Sequence, residues 1–467
     1  MFEIGTASQP LRVAIIGSGP SGFYAADHLL RQKDLTVEID MFDKLPTPFG
    51  LVRGGVAPDH QKIKSVTKLY DRIASHDRFK FYGNVKFGDT ITYDDISQHY
   101  HAVIYAVGAQ TDRNLNVPGE DLPGSYAATQ FVGWYNGHPD YCDYQFDLSQ
   151  SSVAVVGVGN VAMDVARILG RSVAELQETD IADYALEALQ NSNIRDIHIF
   201  GRRGPAQAAF TNPEIKELGE MEEVDLIIDP DELVLDEYSQ AYLNSPDADK
   251  KDIRNLEIMQ EYAARPPQGR PKRIHLHFLT SPVLISGEGC VESLTMVKNA
   301  LYQDEKGNIR PQATDQQRTF SVGLIFRSVG YYGVALPDVP FDEKRGTIPN
   351  VQGRVLVEAG AEEIRTGNYV VGWIKRGPSG VIGTNKPDSV ESAEQLLADV
   401  TAGELLQPSN PSREAIDQLL DERGVTVVTY ADWQRLDQIE QEQGQQLGRP
   451  RLKFSRVEDM LAALQSS

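Results

Sequence analysis

The feature that most constrains this chain is a glycine-rich turn between a short apolar strand and a helix, a pattern that occurs twice. In the first copy the apolar run Leu11–Ile16 leads into the turn GSGPSG at 17–22, and a helical pattern covers 21–31. A further strand pattern at 36–42 completes a strand–helix–strand unit. Short runs rich in β-branched residues are typical of buried parallel strands. The turn predicts a dinucleotide site, because its glycines let a pyrophosphate approach the helix N-terminus.

The second copy has the same order of elements. The strand pattern Ser152–Val156 leads into GVGNVA at 157–162, a helical pattern follows over 161–169, and a strand is predicted at 194–200. Alanine replaces the last glycine, which this fingerprint permits. Two such units indicate two nucleotide sites, and the predicted contacts in their turns are Gly17, Gly19 and Gly22 in the first and Gly157 and Gly159 in the second.

The residues that follow the second strand of each unit differ in charge. Asp43 ends the first unit, where a carboxylate accepts hydrogen bonds from ribose hydroxyls. The second unit continues into Arg202 and Arg203, whose guanidinium groups suit a 2′-phosphate that a carboxylate would repel. The contrast assigns FAD to the first site and NADP to the second. Two alternatives remain, since an acid alone would equally suit NAD and an arginine pair can be a solvated loop.

Two further patterns predict how the domains are connected. Residues 101–108 and 323–330 each resemble a strand that runs into a glycine turn, and we interpret them as the two crossings between domains. The predicted fold class is α/β with two Rossmann-like dinucleotide-binding domains, the NADP domain being inserted in the FAD domain. The predicted boundaries are 1–112 and 330–467 for the FAD domain and 113–329 for the NADP domain. The tail shows helical patterning at 413–420 and 457–464 and is interpreted as a packing appendage.

Composition excludes several other classes. The chain of 467 residues has two cysteines, Cys142 and Cys290, and no Cys-x-x-Cys pair, which argues against a disulfide framework, a zinc site, an iron–sulfur cluster and a redox dithiol. Redox chemistry would therefore depend on an organic cofactor, and no metal is predicted. A formal charge of −22 disfavours nucleic acid as a partner. No apolar stretch approaches the length of a membrane span, and no secretory signal is visible, so a cytoplasmic protein is expected.

Four runs carry a resemblance to a known family. They are LPTPFGLVRGGVAPDH at 45–60, GVGNVAMDVAR at 157–167, GRRGPAQAAF at 201–210 and VGWIKRGPSGVIGT at 371–384. In this order they resemble the adrenodoxin reductase type of ferredoxin–NADP⁺ reductase, in particular its bacterial members. The match extends from about residue 11 to about residue 390. The resemblance implies an FAD-dependent oxidoreductase that passes electrons from NADPH through the flavin to a ferredoxin or a similar one-electron carrier.

The resemblance also implies individual site residues. The implied FAD contacts are Ser21, Asp43, Leu51, Trp373, Gly380, Val381 and Ile382. The implied NADP contacts are Arg113, Val158, Gly159, Asn160, Val161, Arg202, Arg203, Glu214 and Gly380. His60 and Glu217 are implied to form an ion pair near the nicotinamide; we interpret them as residues that tune the ring environment, with a structural role as the alternative. Hydride transfer itself needs aligned rings in a dry pocket rather than a protein acid or base.

The segment around Trp373 supports the FAD assignment separately. Glycines surround this aromatic residue at 367, 372, 377, 380 and 383, and small residues let a backbone lie against a flavin ring. If a helix begins near Val381 and Ile382, their N–H groups can support the edge of the ring. The alternative is a core tryptophan in a loop.

A basic stretch is the predicted docking surface for the acceptor. Arg265, Arg270, Lys272 and Arg273 lie within nine residues that contain no acid, and ferredoxins are typically acidic. Reversing the charge of the last three is expected to raise the Michaelis constant for ferredoxin without affecting ferricyanide reduction. The alternatives are a solvated proline-rich loop for this stretch and, for the whole chain, a disulfide reductase, an electron-input subunit or a non-catalytic flavin module.

Overall fold

The computed structural model describes residues 4–465 and divides them into two compact units. The first unit comprises residues 4–56, 60–111 and 331–465, and the second comprises 57–59 and 112–330. Residues 112–330 thus interrupt the first unit, whereas the sequence-based boundaries placed the insertion at 113–329. The short segment 57–59, which belongs to the second unit, was not anticipated.

The strands and helices are numbered here in chain order. The strands are β1 (Leu11–Ile16), β2 (Val37–Phe42), β3 (Phe79–Tyr82), β4 (Ala102–Tyr105), β5 (Thr111–Asp112), β6 (Ser125–Ala127), β7 (Ser152–Val156), β8 (Asp196–Phe200), β9 (Val224–Ile228), β10 (Lys272–His277), β11 (Thr280–Ser286), β12 (Ser293–Gln303), β13 (Ile309–Ser321), β14 (Leu324–Arg327), β15 (Tyr331–Tyr332), β16 (Asn350–Val351), β17 (Arg354–Leu356) and β18 (Ile364–Val370). The α-helices are α1 (Pro20–Leu30), α2 (Leu51–Gly54), α3 (Gln61–Lys64), α4 (Thr67–Ala74), α5 (Tyr93–His99), α6 (Ala128–Tyr135), α7 (Asn160–Gly170), α8 (Val173–Gln177), α9 (Asp183–Gln190), α10 (Asn212–Glu220), α11 (Glu237–Leu243), α12 (Lys250–Ala263), α13 (Trp373–Arg376), α14 (Asn385–Ala402), α15 (Arg413–Glu422), α16 (Tyr430–Gln446) and α17 (Val457–Gln465). Short 3₁₀ helices cover Pro139–Tyr141, Pro205–Gln207, Pro230–Leu233 and Ile382–Thr384.

The first unit is built on a seven-stranded sheet in the order β16-β17-β18-β4-β1-β2-β3. The five strands from β18 to the edge strand β3 are parallel, and Leu11 to Ile16 of β1 pair in register with Val37 to Phe42 of β2. Both faces of β1 are covered, since Val13 and Ile15 belong to one apolar core and Ala14 and Ile16 to another. This explains why the strand has a continuous apolar sequence rather than an alternating one.

The second unit has a six-stranded parallel sheet in the order β6-β14-β7-β8-β10-β9. Helices cover one face, where Val153 and Val155 are buried. The antiparallel sheet β11-β12-β13 covers the other face and packs Leu294 and Phe320 over Ala154. Burial of such side chains stabilises each unit by about 1.5–3 kcal/mol per large residue.

The tail contains one long helix that the sequence patterns did not indicate. The two predicted helical segments correspond to α15 and α17, but α16 lies between them and runs for 17 residues. It begins with a capping box in which Thr429 and Asp432 exchange hydrogen bonds. Its buried residues include Trp433 and Leu436, which join the core of the first unit. Glutamine and glutamate dominate its exposed face and mask the apolar period.

Three histidines stack between β8 and β10 in the second unit. His198 Nδ1 lies 3.1 Å from His277 Nε2, and the rings of His198 and His275 are 4.6 Å apart. Burial, followed by the positive charge of neighbouring histidine and arginine groups, lowers the pKa of His198 to about 4 and that of His277 to about 3. The two imidazoles are therefore neutral in the folded chain at neutral pH.

This cluster predicts acid-sensitive stability. Both folded pKa values lie below the ordinary 6.5, so their contribution is complete above pH 6.5 and is lost as the pH falls toward 4 and then 3. Between pH 7 and pH 5, each histidine is expected to remove about 1–2 kcal/mol from the free energy of unfolding. Denaturant titrations at pH 7, 6 and 5 should show a shallower decline for His277→Gln than for the parent. His76→Gln, on the surface of the first unit, is the control. An equal fall in the free energy of unfolding between pH 7 and pH 5 for all three proteins would contradict the prediction.

Candidate functional site

The first glycine turn forms a cradle at the carboxyl end of β1. Gly17 has φ +104°, and a Cβ there would lie 2.6 Å from the carbonyl oxygen of Ala106. A Cβ on Gly22 would lie 2.6 Å from the oxygen of Gly17, so helix and turn pack closely only because glycine is present. Gly19 is the N-cap of α1 and has nothing within 4 Å of an added Cβ. This open space at a helix N-terminus fits a pyrophosphate.

Asp43 lies beside this cradle, as the sequence predicted. Its Oδ2 accepts hydrogen bonds from Ser18 N (3.0 Å) and Ser18 Oγ (2.5 Å), and its Oδ1 accepts one from Leu45 N (3.0 Å). Burial raises the pKa of Asp43, although these hydrogen bonds favour the carboxylate. Ser18 was not among the predicted residues, and the Asp43 carboxylate that it orients stands at the strand end where a ribose is bound in this type of unit.

The segment after Asp43 closes over the turn. Phe49 N donates to Ser18 O at 2.9 Å, and a Cβ on Gly50 would lie 3.1 Å from Gly19 Cα. Phe49 has φ +83°, which is uncommon for a residue with a side chain and is held by the surrounding core. Leu51, a predicted FAD contact, begins α2 directly after this bend and is 38% exposed.

The segment around Trp373 also reaches the first cradle. A Cβ on Gly372 would lie 2.5 Å from Ser21 Oγ, which places two predicted regions side by side. Trp373 donates its indole N–H to Ser379 O at 3.2 Å, and its ring lies 5.1 Å from that of Tyr331. A 3₁₀ helix begins at Ile382 and continues into α14, which meets the condition set for Val381 and Ile382. Val381 is 55% exposed, so its surface is available to a ligand.

The second glycine turn repeats the geometry of the first. Gly157 N donates to Phe200 O at 2.9 Å, as Gly17 N donates to Phe42 O at 2.8 Å. Gly157 has φ +138°, and an added Cβ would lie 2.0 Å from Ser328 O. Gly159 is the N-cap of α7, and again nothing lies within 4 Å of its Cβ position. Both cradles therefore fit a dinucleotide by the same test.

The matched strand ends show what replaces the acid in the second unit. Because Phe42 and Phe200 make the same contact, Gly201 occupies the place of Asp43. A Cβ on Gly201 would lie 3.0 Å from Val158 Cγ1, so the strand end packs against the glycine turn. Arg202 is exposed and Arg203 is half-buried immediately after it. The two guanidinium groups thus follow a strand end that carries no carboxylate.

Other predicted NADP contacts also surround this turn. Val158 O accepts hydrogen bonds from Ala209 N (2.9 Å) and Phe210 N (3.1 Å), and Asn160 Oδ1 accepts one from Thr211 N (2.9 Å). Val161 is partly buried against the core in the first turn of α7. The loop that follows the arginines is therefore held on the glycine turn. Arg113 lies elsewhere in the same unit, with its N–H donating to Gly330 O at 2.9 Å.

A buried ion cluster lies beside α7. Arg167, which is 0% exposed, donates to Asp59 (2.7 and 3.2 Å), Asp164 (2.6 Å) and Glu214 (2.9 Å). Burial opposes the charge of Arg167, but these carboxylates raise its pKa well above the ordinary value. The Asp59 contacts explain why segment 57–59 belongs to the second unit. Glu214 is buried on this arginine, so its predicted contact with NADP stays a prediction.

The predicted ion pair near the nicotinamide stays a prediction as well. His60 lies in the first unit as the N-cap of α3, and Glu217 lies in α10 of the second, 3.5 Å from Arg167 Nη1. Arg167 is the last residue of the GVGNVAMDVAR run, and the sequence analysis gave it no role. Its apolar helical neighbours gave no indication that a charged residue would be fully buried.

Two of the four cations in the predicted docking stretch bind backbone groups of their own unit. Arg270 donates through Nη1 to the carbonyl oxygens of Met221 and Val224 (2.9 Å for the latter), and Lys272 Nζ donates to Leu169 O at 2.8 Å. Burial lowers the pKa of Lys272. These two side chains cap backbone carbonyls inside the second unit, so charge reversal there would disturb the fold. Arg265 and Arg273 remain about half exposed, each paired with a carboxylate.

Between residues 4 and 465, no helix is both long and apolar enough to cross a membrane. Cys142 and Cys290 do not form a disulfide bond.

Comparison with known proteins identifies the family. Residues 11–197 match the pyridine nucleotide-disulphide oxidoreductase family. NADPH-ferredoxin reductase FprA of Mycobacterium tuberculosis is 45% identical over 97% of this chain and 99% of its own length. NADPH:adrenodoxin oxidoreductase of Arabidopsis thaliana, a mitochondrial protein, is 39% identical over 98% and 96%. The structure of M. tuberculosis FprA in complex with NADPH superposes with a TM-score of 0.92 at 44% identity, covering 98% of this chain and 100% of that one. Together with the predicted motifs and the fold of two dinucleotide-binding units, these similarities show that the chain belongs to the adrenodoxin reductase-type ferredoxin–NADP⁺ reductases.

Proposed function

We propose that this protein is an FAD-dependent ferredoxin–NADP⁺ reductase that transfers hydride between NADPH and FAD and single electrons to ferredoxin. Membership of the family confirms the predicted enzyme class and the predicted cofactors, FAD and NADP. FAD, when bound, supplies the conversion of a two-electron hydride transfer into one-electron steps. The protein's own residues bind and orient the nucleotides.

The observation that carries the proposal is the pair of matched cradles with opposite charge at the strand end. The Gly17 turn is followed by Asp43, and the Gly157 turn is followed by Gly201 and the two arginines. A carboxylate there accepts from two ribose hydroxyls, whereas guanidinium groups bind a 2′-phosphate by charge-assisted hydrogen bonds. We therefore assign FAD to the first unit and NADP to the second.

The assignment extends to roles for individual residues. Gly19 and Gly159 leave the N-termini of α1 and α7 open toward a pyrophosphate, and Trp373 shields the flavin ring. The remaining proposed contacts are Ser21, Leu51, Gly380, Val381 and Ile382 for FAD and Arg113, Val158, Asn160, Val161 and Glu214 for NADP. His60 and Glu217 are proposed to tune the environment of the nicotinamide. Hydrogen bonds from Ser18 keep the Asp43 carboxylate in place for the ribose.

Anaerobic stopped-flow spectroscopy tests the function directly. Purified protein should be yellow, should bleach rapidly with NADPH and much more slowly with NADH, and should then reduce a ferredoxin added in a second mix. A yellow protein that neither nucleotide bleaches would support a flavin-binding module instead. A colourless protein that binds neither FAD nor NADP would refute the proposal.

Ferredoxin is proposed to dock beside Arg265, Arg270, Lys272 and Arg273, with the direct contacts made by the two exposed arginines. Arg265 Nη2 lies 2.5 Å from Glu261, and Arg273 binds Asp196 through two hydrogen bonds of 2.6 and 2.5 Å. Surface pairs of this kind contribute little to stability, so their replacement should leave the fold intact.

The docking proposal predicts a specific kinetic defect. Arg265→Glu combined with Arg273→Glu should raise the Michaelis constant for ferredoxin by about three- to tenfold at low salt and much less at high salt, because steering by charge is screened. Reduction of ferricyanide by NADPH should be unchanged. Arg254→Glu, on the exposed face of α12, is the matched control. Equal effects on both acceptors, or no effect on either, would exclude this docking surface.

A disulfide reductase remains the second candidate because the matched family includes such enzymes. It is disfavoured because the two cysteines form no Cys-x-x-Cys pair. Cytoplasmic localisation is also proposed, supported by two thiols that form no disulfide bond.

A further inference from the structure

The turn that carries the two arginines is held by its backbone rather than by its side chains. Three successive carbonyl oxygens accept hydrogen bonds from three different donors. Gly201 O accepts from Thr280 N (2.9 Å), Arg202 O from Asn299 Nδ2 (2.8 Å), and Arg203 O from Leu279 N (3.0 Å). The backbone of this segment, residues 201–203 (the arginine turn), is thus fixed by Thr280, Asn299 and Leu279.

Asn299 is the only one of these donors that acts through a side chain. It is 4% exposed and lies on β12 next to an irregularity in pairing with β13, between Val297 and Asn299. Its Nδ2 also donates to Ser281 Oγ (2.8 Å), and its backbone N donates to Leu279 O (2.6 Å). Both hydrogens of the amide are thus used, one of them on the arginine turn. Losing a buried partner leaves an unsatisfied carbonyl, which costs stability at that place.

Leu279 shows that these hydrogen bonds constrain the local backbone. Its φ of +54° lies in the left-handed region, which a branched side chain seldom adopts. Such conformations persist where the surrounding contacts over-determine them and are often found beside binding sites. Here Leu279 contacts both the arginine turn and Asn299, so its conformation depends on the hairpin formed by β12 and β13.

We propose that the β12–β13 hairpin is part of the site that selects a ribose 2′-phosphate, with Asn299 as a positioning residue for Arg202 and Arg203. The inference rests on the proposed function, because it assumes that the second unit binds NADP through these arginines. It assigns selectivity to a residue 97 positions after Arg202. A purely structural Asn299 would instead affect NADPH and NADH equally.

The test is the ratio of kcat/KM for NADPH to that for NADH, with ferricyanide as acceptor. Asn299→Ala should lower this ratio about tenfold through the KM for NADPH, with kcat and the NADH reaction changed less than twofold. Asn299→Ser keeps one hydrogen-bond donor, so its ratio should lie between those of the parent and Asn299→Ala. Asn368→Ala removes a comparably buried asparagine from the first unit and should leave the ratio unchanged. Binding of 2′,5′-ADP should weaken in parallel with the ratio, whereas binding of 5′-AMP should not.

If Asn299→Ala and Asn368→Ala behave alike while Arg202→Ala/Arg203→Ala lowers the ratio strongly, the inference is wrong and the proposed NADP site stands. If the double arginine variant has no effect, the proposed site itself is wrong.

Discussion

Replacing Arg202 and Arg203 together by alanine is expected to lower the preference for NADPH over NADH by about 100- to 1000-fold. Each charge-assisted hydrogen bond to a phosphate is worth about 1.5–3 kcal/mol, and two guanidinium groups are lost. NADH lacks the 2′-phosphate, so its kcat/KM should remain within a few fold of the parent value. The preference should therefore fall almost entirely through a higher KM for NADPH, measured by steady-state kinetics with ferricyanide.

The structure provides a control of the same residue type. Arg195 is exposed just before β8 in the same unit, and Arg195→Ala should leave the nucleotide preference unchanged. The single variants Arg202→Ala and Arg203→Ala should each show part of the loss. If the double variant lost activity equally with both nucleotides, the arginines would be supporting the fold of the turn rather than reading the phosphate.

Replacing Glu440 by alanine is expected to lower the free energy of unfolding by about 3–5 kcal/mol. This buried carboxylate of α16 binds Arg53 through two hydrogen bonds (2.8 and 2.5 Å) and accepts another from Phe454 N (2.9 Å). Its removal leaves a mostly buried guanidinium group without that partner. Because Arg53 lies in α2 two residues after Leu51, FAD should also be retained less tightly.

The measurement combines denaturant unfolding, followed by far-ultraviolet circular dichroism, with flavin fluorescence as a report of released FAD. Glu442→Ala, on the exposed side of the same helix and paired with Gln438, should change either quantity little. Glu440→Gln keeps the shape but not the charge and should give an intermediate loss. Equal stability of the Glu440→Ala and Glu442→Ala proteins would show that the contact between Glu440 and Arg53 does not stabilise the fold.

Both glycine turns could be predicted because each is specified by the residues of the turn itself and by the strand and helix that flank it. The bounds predicted for β1 and β7 agree with the structure, because a short continuous apolar run between turn residues is typical of a buried strand. The contrast of Asp43 with Arg202 and Arg203 is likewise local. Placing Gly201 at the position of Asp43 required the structure, because only the matching hydrogen bonds of Phe42 and Phe200 align the two strand ends.

The direction of long charged side chains was not predictable. Arg270 and Lys272 resemble surface cations in the sequence, but they reach back to cap carbonyl groups of their own unit. Arg167 resembles an ordinary helix residue in the sequence, but in the structure it is the centre of a buried cluster. A flexible stem of several methylene groups lets either outcome follow from the same local sequence, and the choice depends on distant acceptors.

Both glycine turns are evident from a few adjacent residues, because the requirement for glycine at a tight turn and at a helix N-terminus is a local steric property. The sign of the charge after each unit is evident in the same way. The long-range contacts became visible only in the folded chain: Glu440 binds Arg53 in one unit, and Asn299 binds the arginine turn in the other. These partners are 387 and 97 residues apart, and hydrogen bonds at such separations depend on how the whole chain packs rather than on any local pattern.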